Sequence, residues 1–160
     1  PEELPERVAG IVDRLRAAEK ELQRIRLQQV LAAAGELATR PEDLAGVAFV
    51  RYEVPEGASA AELRKLALDV RGRMQRDRPG VVAIVGVSNG RPSVVVAVND
   101  RARERGLSAG ELVRIAARVL GGGGGGKDDV AQGGGTDPAK TSEALQEVQR
   151  AVLTRVTAGS

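Results

Sequence analysis

Over residues 5–38 apolar side chains recur at helical intervals. Val8, Ile11, Leu15, Ala18, Leu22 and Ile25 are spaced 3, 4, 3, 4 and 3 apart, a heptad seam, with Arg14, Glu19, Glu21 and Arg26 beside it. The phase then shifts to a second stripe, Leu27, Val30, Leu31, Ala34 and Leu37, and Gly35, Arg40 and Pro41 punctuate the end. A helix of ~34 residues is about 50 Å long, more than a small body can bury. A helix packed wholly on its own domain would need only one stripe. The two phases predict that the first part pairs through Val8, Ile11, Leu15, Leu22 and Ile25 with a partner helix, most simply that of a second chain, while the last turns dock on the globular body.

Beyond residue 40 the pattern alternates. Residues 47–54 read as a strand closed by Pro55-Glu56-Gly57, and Ser59 with Glu62 forms a capping box for a helix to about Arg76, with Leu63, Leu66, Val70 and Met74 on one face. Pro79-Gly80 breaks it. A continuous apolar run at 81–87, the turn pair Asn89-Gly90 and a returning run at 93–98 predict an antiparallel hairpin. Ser108 and Glu111 make a second capping box, for a helix to Leu120. Asp137 and Pro138 open a last helix, to about Val156, with Leu145, Val148, Val152 and Val156 as its buried stripe. The expected fold is α/β: a long coiled-coil-like helix over residues 1–40, then a globular domain over 41–160 with a small mixed sheet flanked by helices.

Composition narrows the chemistry. The 160 residues contain no histidine and no cysteine, so Ser-His and Cys-His nucleophile pairs, disulfides and histidine or thiolate zinc sites are excluded. No catalytic or metal-ligating set stands out: Asp128 and Asp129 are adjacent, without the separation that acid and base roles need. No apolar run approaches the ~20 residues of a membrane span. The start at Pro1-Glu2-Glu3 without methionine suggests an excised fragment. Net charge is +2, and twenty of the twenty-four basic residues are arginine. They cluster at Arg64, Lys65, Arg71, Arg73, Arg76 and Arg78, against Asp69 and Asp77, and at Arg101, Arg103, Arg105, Arg114 and Arg118, against Glu104 and Glu111. Such clusters are either solvated faces or a nucleic-acid footprint.

Residues 121–135 carry the most information. Gly121–Gly126, then Lys127-Asp128-Asp129-Val130-Ala131-Gln132, then Gly133–Gly135 place nine glycines in fifteen residues. A flexible linker and an ordered binding loop both fit. The charged interior and the helix start at Asp137-Pro138 favour the loop, since ordering so many glycines is entropically costly. Gly121, Gly126 and Lys127 partly match a P-loop, but Asp128 stands where Ser or Thr would hold magnesium, and a helix precedes the run where a P-loop has a strand.

Read as Gly-Gly-x-Gly-Gly-Gly-Lys-x-Asp-x-Ala-Gln-x-Gly-Gly, the segment resembles the signature loop of the C-terminal domain of alanyl-tRNA synthetases. Thr136-Asp137-Pro138-Ala139-Lys140, Asn99-Asp100 and Ser108-Ala109-Gly110-Glu111-Leu112 extend the likeness over nearly the whole chain. The resemblance implies a non-catalytic, tRNA-binding and dimer-forming domain of a cytoplasmic alanine–tRNA ligase, with no membrane role. Its aminoacylation and editing domains, with their ATP, magnesium and zinc, would lie outside this fragment, which itself would carry no cofactor. The implied partner is alanine tRNA, gripped at its outer corner while two active sites share the acceptor end. With Phe49 and Tyr52 as its sole aromatics the chain is poorly equipped to stack single-stranded bases, so shape and phosphates would be recognised. The expected contacts are Gly122, Gly123, Gly124, Gly125 and Gly126 through their bare N–H groups, with Lys127 and Gln132, helped by Lys140, Arg101 and Arg105; a bulky residue at Gly124 is expected to block approach. Two alternatives remain. The chain could be the accessory domain of a DHH-family phosphoesterase, whose loop places histidine where Lys127 stands, or a coiled-coil oligomerisation module with the glycines as linker.

Overall fold

The computed structural model describes residues 3–54 and 57–158, with the side chains of residues 3–9, 27, 30, 31 and 158 outside that description. Helix α1 (Glu3–Thr39) leads, followed by β1 (Glu42–Leu44), β2 (Val47–Glu53), α2 (Ala60–Arg73), β3 (Gly80–Ser88), β4 (Arg91–Val98), α3 (Asp100–Glu104), α4 (Ala109–Val119), β5 (Gly123–Gly126), β6 (Val130–Gly134) and α5 (Thr141–Ala158). The six strands form one mixed sheet in the order β1-β2-β3-β4-β6-β5. Strands β2 and β3 are parallel, joined through α2; all other neighbours are antiparallel.

The continuous apolar runs are strands buried on both faces. Val81, Ala83 and Val85 of β3 and Val94, Val96 and Val98 of β4 join a core with Leu112, Val113 and Ala116 of α4 and Leu145, Val148, Val152 and Val156 of α5. The intervening Val82, Ile84, Val95 and Ala97 join a second core with Leu63, Leu66, Ala67 and Val70 of α2 and Ala34 of α1. One change of side at each residue thus builds a three-layer sandwich. Asn89 and Gly90 turn β3 into β4 with φ of 54° and 74°, the type I′ geometry expected of that pair.

The second stripe of α1 docks as expected where it is described: Ala34 is fully buried and Leu37 packs on the α2 core, while Leu27, Val30 and Leu31 lie outside the described side chains. The first stripe is uncovered. Ile11 is 64% exposed, Leu15 59%, Leu22 59% and Ile25 40%; the Val8 side chain lies outside the described set. At the body the Arg26 guanidinium donates to the Gly57 carbonyl at 3.1 Å.

Several local expectations need correction. Strand β1 and helix α3 went unpredicted, and α2 stops at Arg73 because Met74 turns to extended backbone. Ser59 caps α2, accepting from the Glu62 N–H at 3.2 Å. Ser108 makes no such cap; its hydroxyl donates to Asp128 instead. The last helix begins with a 3-10 turn, Pro138–Lys140, before α5, while Asp137 caps as expected. The glycine-rich stretch is neither linker nor loop. It is a stop signal followed by a β-hairpin that completes the sheet.

Candidate nucleic-acid interface

The first two glycines of the run end α4. Gly121 has φ +83°, its N–H donates to Arg118 O at 3.1 Å, and the Gly122 N–H donates to Ala117 O at 2.9 Å, a Schellman stop. The next four are β5, paired with β6, which is itself paired with β4. At the turn the Lys127 N–H donates to Val130 O at 3.1 Å, and the Asp129 carboxylate accepts from the Val130 N–H at 3.0 Å. Both turn carbonyls are tied to the body: Asp129 O accepts from Val98 N–H at 2.8 Å and Arg71 Nη1 at 2.9 Å, and Asp128 O from Ala109 N–H at 2.9 Å. With Ser108 Oγ donating to Asp128 Oδ1 at 3.1 Å, the two aspartates are turn-builders. At the other end Leu120 O accepts from the N–H groups of Thr136 and Asp137, at 2.9 and 3.0 Å. Helix α4 is therefore fastened along the hairpin at both ends.

Most of these glycines are sterically required. A Cβ at Gly122 would stand 2.1 Å from Gly134 O, at Gly124 2.5 Å from Gly133 Cα and 2.9 Å from Val113 Cγ1, and at Gly126 2.8 Å from Ala131 Cα. On the partner strand, a Cβ at Gly133 would lie 2.9 Å from Gly124 Cα and at Gly134 2.9 Å from Pro92 O; at Gly135 it would lie 2.2 Å from Leu120 O. Gly123 and Gly125 are different. A Cβ at Gly123 meets nothing within 4 Å, one at Gly125 only the Arg114 Nε at 4.0 Å, and neither glycine has a positive φ.

The N–H groups are less available than a bare glycine run suggests. Those of Gly121 and Gly122 close the helix. The bond from Lys127 to Val130 sets the antiparallel alternation, so Gly125 and Gly123 are hydrogen-bonded with Gln132 and Gly134. Gly124 and Gly126 direct their N–H groups to the open edge of the sheet.

The candidate cations do not form one patch. Lys127 is exposed at the turn end, where β4 also delivers α3 with Arg101 and Arg105. Arg101 is paired with Glu104 at 3.2 Å, and Arg105 caps α3. Lys140 belongs to the opposite end of the hairpin, about 13 Å along the strand from its turn, and is paired with Glu143 at 3.1 Å. Gln132 is exposed at the middle of β6, opposite Val95. In the basic cluster of α2 and the turn after it, Arg71 holds the Asp129 carbonyl, Arg73 meets Asp69 at 3.3 Å and Arg78 meets Asp43 at 2.7 Å, so half of that cluster has internal duties.

Arg114 and Arg118, members of the second arginine cluster, were not among the expected contacts. Both are exposed on α4. The carboxylates expected to oppose them are engaged elsewhere: Glu104 by Arg101 and Glu111 by Arg155, at 3.7 Å. Their four-residue spacing just upstream of the glycines was the available signal. Among the described residues no group of three or more acidic, histidine or cysteine side chains could hold a metal, and no helix is long and apolar enough to cross a membrane.

Comparison with known proteins gives consistent results. The DHHA1 domain family matches residues 45–154. An alanine–tRNA ligase from Streptomyces avermitilis is 54% identical over 152 residues, 95% of this chain and 17% of that ligase, so the chain spans about a sixth of such a relative. The C-Ala domain of Aquifex aeolicus alanyl-tRNA synthetase superposes with a TM-score of 0.64 at 30% identity, covering 71% of this chain and 98% of that domain. RecJ from Thermus thermophilus, at 20% identity over 84% of this chain and 20% of its own, and a TM-score of 0.50, shares the fold alone.

Proposed function

Because the chain belongs to the DHHA1 domain family, as a C-terminal domain of the alanyl-tRNA synthetase kind, we propose that it grips alanine tRNA at the outer corner through the β5–β6 hairpin. One observation carries this reading. Gly123 lies exposed on the sheet edge and Gly125 half-buried beside the Arg114 guanidinium, and at neither does a clash or a backbone angle require glycine, although glycine weakens a strand. A requirement for close approach by an outside surface explains them. An A-form helix or tRNA elbow presents phosphates and 2′-hydroxyls, which exposed N–H groups and cations can bind without aromatic stacking. The domain then acts as a tether that raises the local concentration of the acceptor end at distant catalytic sites, with no chemistry of its own. ATP, magnesium and zinc chemistry belongs, in this reading, to parts of a cytoplasmic ligase beyond this chain. Gel shift of the 160-residue chain with unmodified alanine tRNA is expected to show binding that weakens steeply with salt. No shift at low salt overturns the reading.

The uncovered face of α1 supports dimerisation as the second half of the proposal. Covering Ile11, Leu15, Leu22 and Ile25 contributes about 1 kcal/mol or a little more for each residue in each chain. Set against the low end of the ~4–15 kcal/mol cost of association, this leaves about 4–6 kcal/mol, so a weak dimer with a dissociation constant on the order of 0.1 mM is expected. Leu15→Ala combined with Leu22→Ala should raise it at least about tenfold. Sedimentation equilibrium checks both; a parent chain that stays monomeric into the high-micromolar range refutes pairing between copies and leaves an upstream helix of the longer protein as the cover.

A further inference from the structure

Resting on the reading of the hairpin as an RNA grip, we propose that Arg114 and Arg118 form a two-point phosphate clamp beside β5. The RNA backbone then crosses the outer edge of that strand toward its Gly121 end, and the Asp128-Asp129 turn is not the contact. Helix α4 is fastened along the hairpin at both ends, so its exposed side chains are held at a fixed height beside the sheet edge. Arg114 and Arg118 are one turn apart, about 6 Å along the axis, and the Arg114 Nε lies 4.0 Å from where a Cβ of Gly125 would be. Any larger side chain at Gly125 would share space with that guanidinium. The Arg118 carbonyl accepts from the N–H of Gly121, which places Arg118 at the start of the glycine run.

Charge points the same way. Among the described residues neither arginine has an ion pair or a side-chain hydrogen bond, and Glu104 and Glu111 are engaged by other arginines. Like charges four apart on a helix repel, a cost with no internal compensation here. At the turn end Asp128 and Asp129 stand beside Lys127 and offset its charge, whereas the α4 side offers two guanidinium forks with no carboxylate partner, and β5 beside it turns the N–H of Gly124 to the open edge. Forks and a bare N–H together match the oxygens of an RNA backbone; a single-strand base reader would need more aromatic surface than a buried Phe49 and a half-buried Tyr52 supply.

The test is the salt dependence of alanine tRNA binding by the 160-residue chain. Arg114→Gln/Arg118→Gln should weaken binding at least tenfold near 0.1 M salt and lower the log–log salt slope by about one unit for each cation. Arg114→Lys/Arg118→Lys should keep the slope and recover part of the affinity, since charge survives and the fork does not. Lys65→Gln/Arg76→Gln, which removes two exposed cations of α2 and the turn after it, should leave the slope unchanged. All three changes are at exposed positions, and thermal unfolding confirms intact folding. If the parent chain does not bind, the RNA reading falls and the clamp with it. If it binds and the Gln pair matches it in affinity and slope, or the α2 pair falls equally, the clamp is wrong while the RNA reading stands.

Discussion

Alanine at Gly122 or at Gly135 is expected to lower the free energy of unfolding by about 2–4 kcal/mol, among the larger losses that one added methyl group can cause. The new carbon would stand 2.1 Å from Gly134 O in the first case and 2.2 Å from Leu120 O in the second. Both obstacles are backbone, so no rotamer change relieves them, and the hairpin must part from the end of α4. Alanine at Gly123 or Gly125 is expected to leave stability unchanged or to raise it by about 0.5 kcal/mol, because the methyl group meets open space at Gly123 and only the Arg114 Nε, at 4.0 Å, at Gly125, and a strand prefers alanine to glycine. Urea unfolding of the four variants decides it; equal behaviour of the two pairs would refute the division of the glycines into structural and exposed sets. The same division revises the choice of functional probe. Valine at Gly124 would collide with Gly133 and Val113, so it reports on folding. Alanine or valine at Gly123 tests outside approach without disturbing the hairpin, and should weaken tRNA binding while leaving the salt slope intact.

The second large effect is at Asn99. Its Oδ1 accepts from the Gly80 N–H at 2.9 Å and the Ala102 N–H at 3.0 Å, and its Nδ2 donates to Arg78 O at 2.8 Å. One amide thereby caps α3 and pins the entry of β3 beside the exit of β4, where Asn99 N–H also donates to Gly80 O at 3.1 Å. Asn99→Ala leaves two donors and an acceptor partly buried without partners, at an expected cost of about 3 kcal/mol. Asn99→Asp keeps both accepting roles and should lose less. Chemical denaturation of the two variants ranks them; equal losses would show that the donated bond to Arg78 O carries the effect.

Asn99-Asp100 was visible in the sequence only as part of a resemblance, because two of its three side-chain bonds reach residues about twenty positions away. The same limit governs the candidate interface. Lys127 and Gln132 are on the hairpin, but Lys140 is at its other end and Arg101 is occupied by Glu104. Arg114 and Arg118 were legible only as members of a five-arginine cluster set against Glu104 and Glu111. Only side-chain geometry shows that those carboxylates face other arginines.

What the sequence determined by itself is whatever a short-range period can express. The 3.6-residue stripes of α2 and α5, the two-sided apolar runs of β3 and β4, the Asn89-Gly90 turn and the caps at Ser59 and Asp137 all follow from contacts within a few residues. The two phases of α1 likewise foretold one uncovered and one docked segment. Tertiary structure alone decided the strand order, the parallel pairing of β2 with β3 and the nature of the glycine run. A strand announces itself by side chains that alternate between two faces, and Gly123–Gly126 has none to alternate. Its extended form is imposed from outside, by the β4 edge that recruits β6, by Arg71 and Val98 holding the turn carbonyl, and by α4 lying so close that only glycine fits beneath Val113 at position 124.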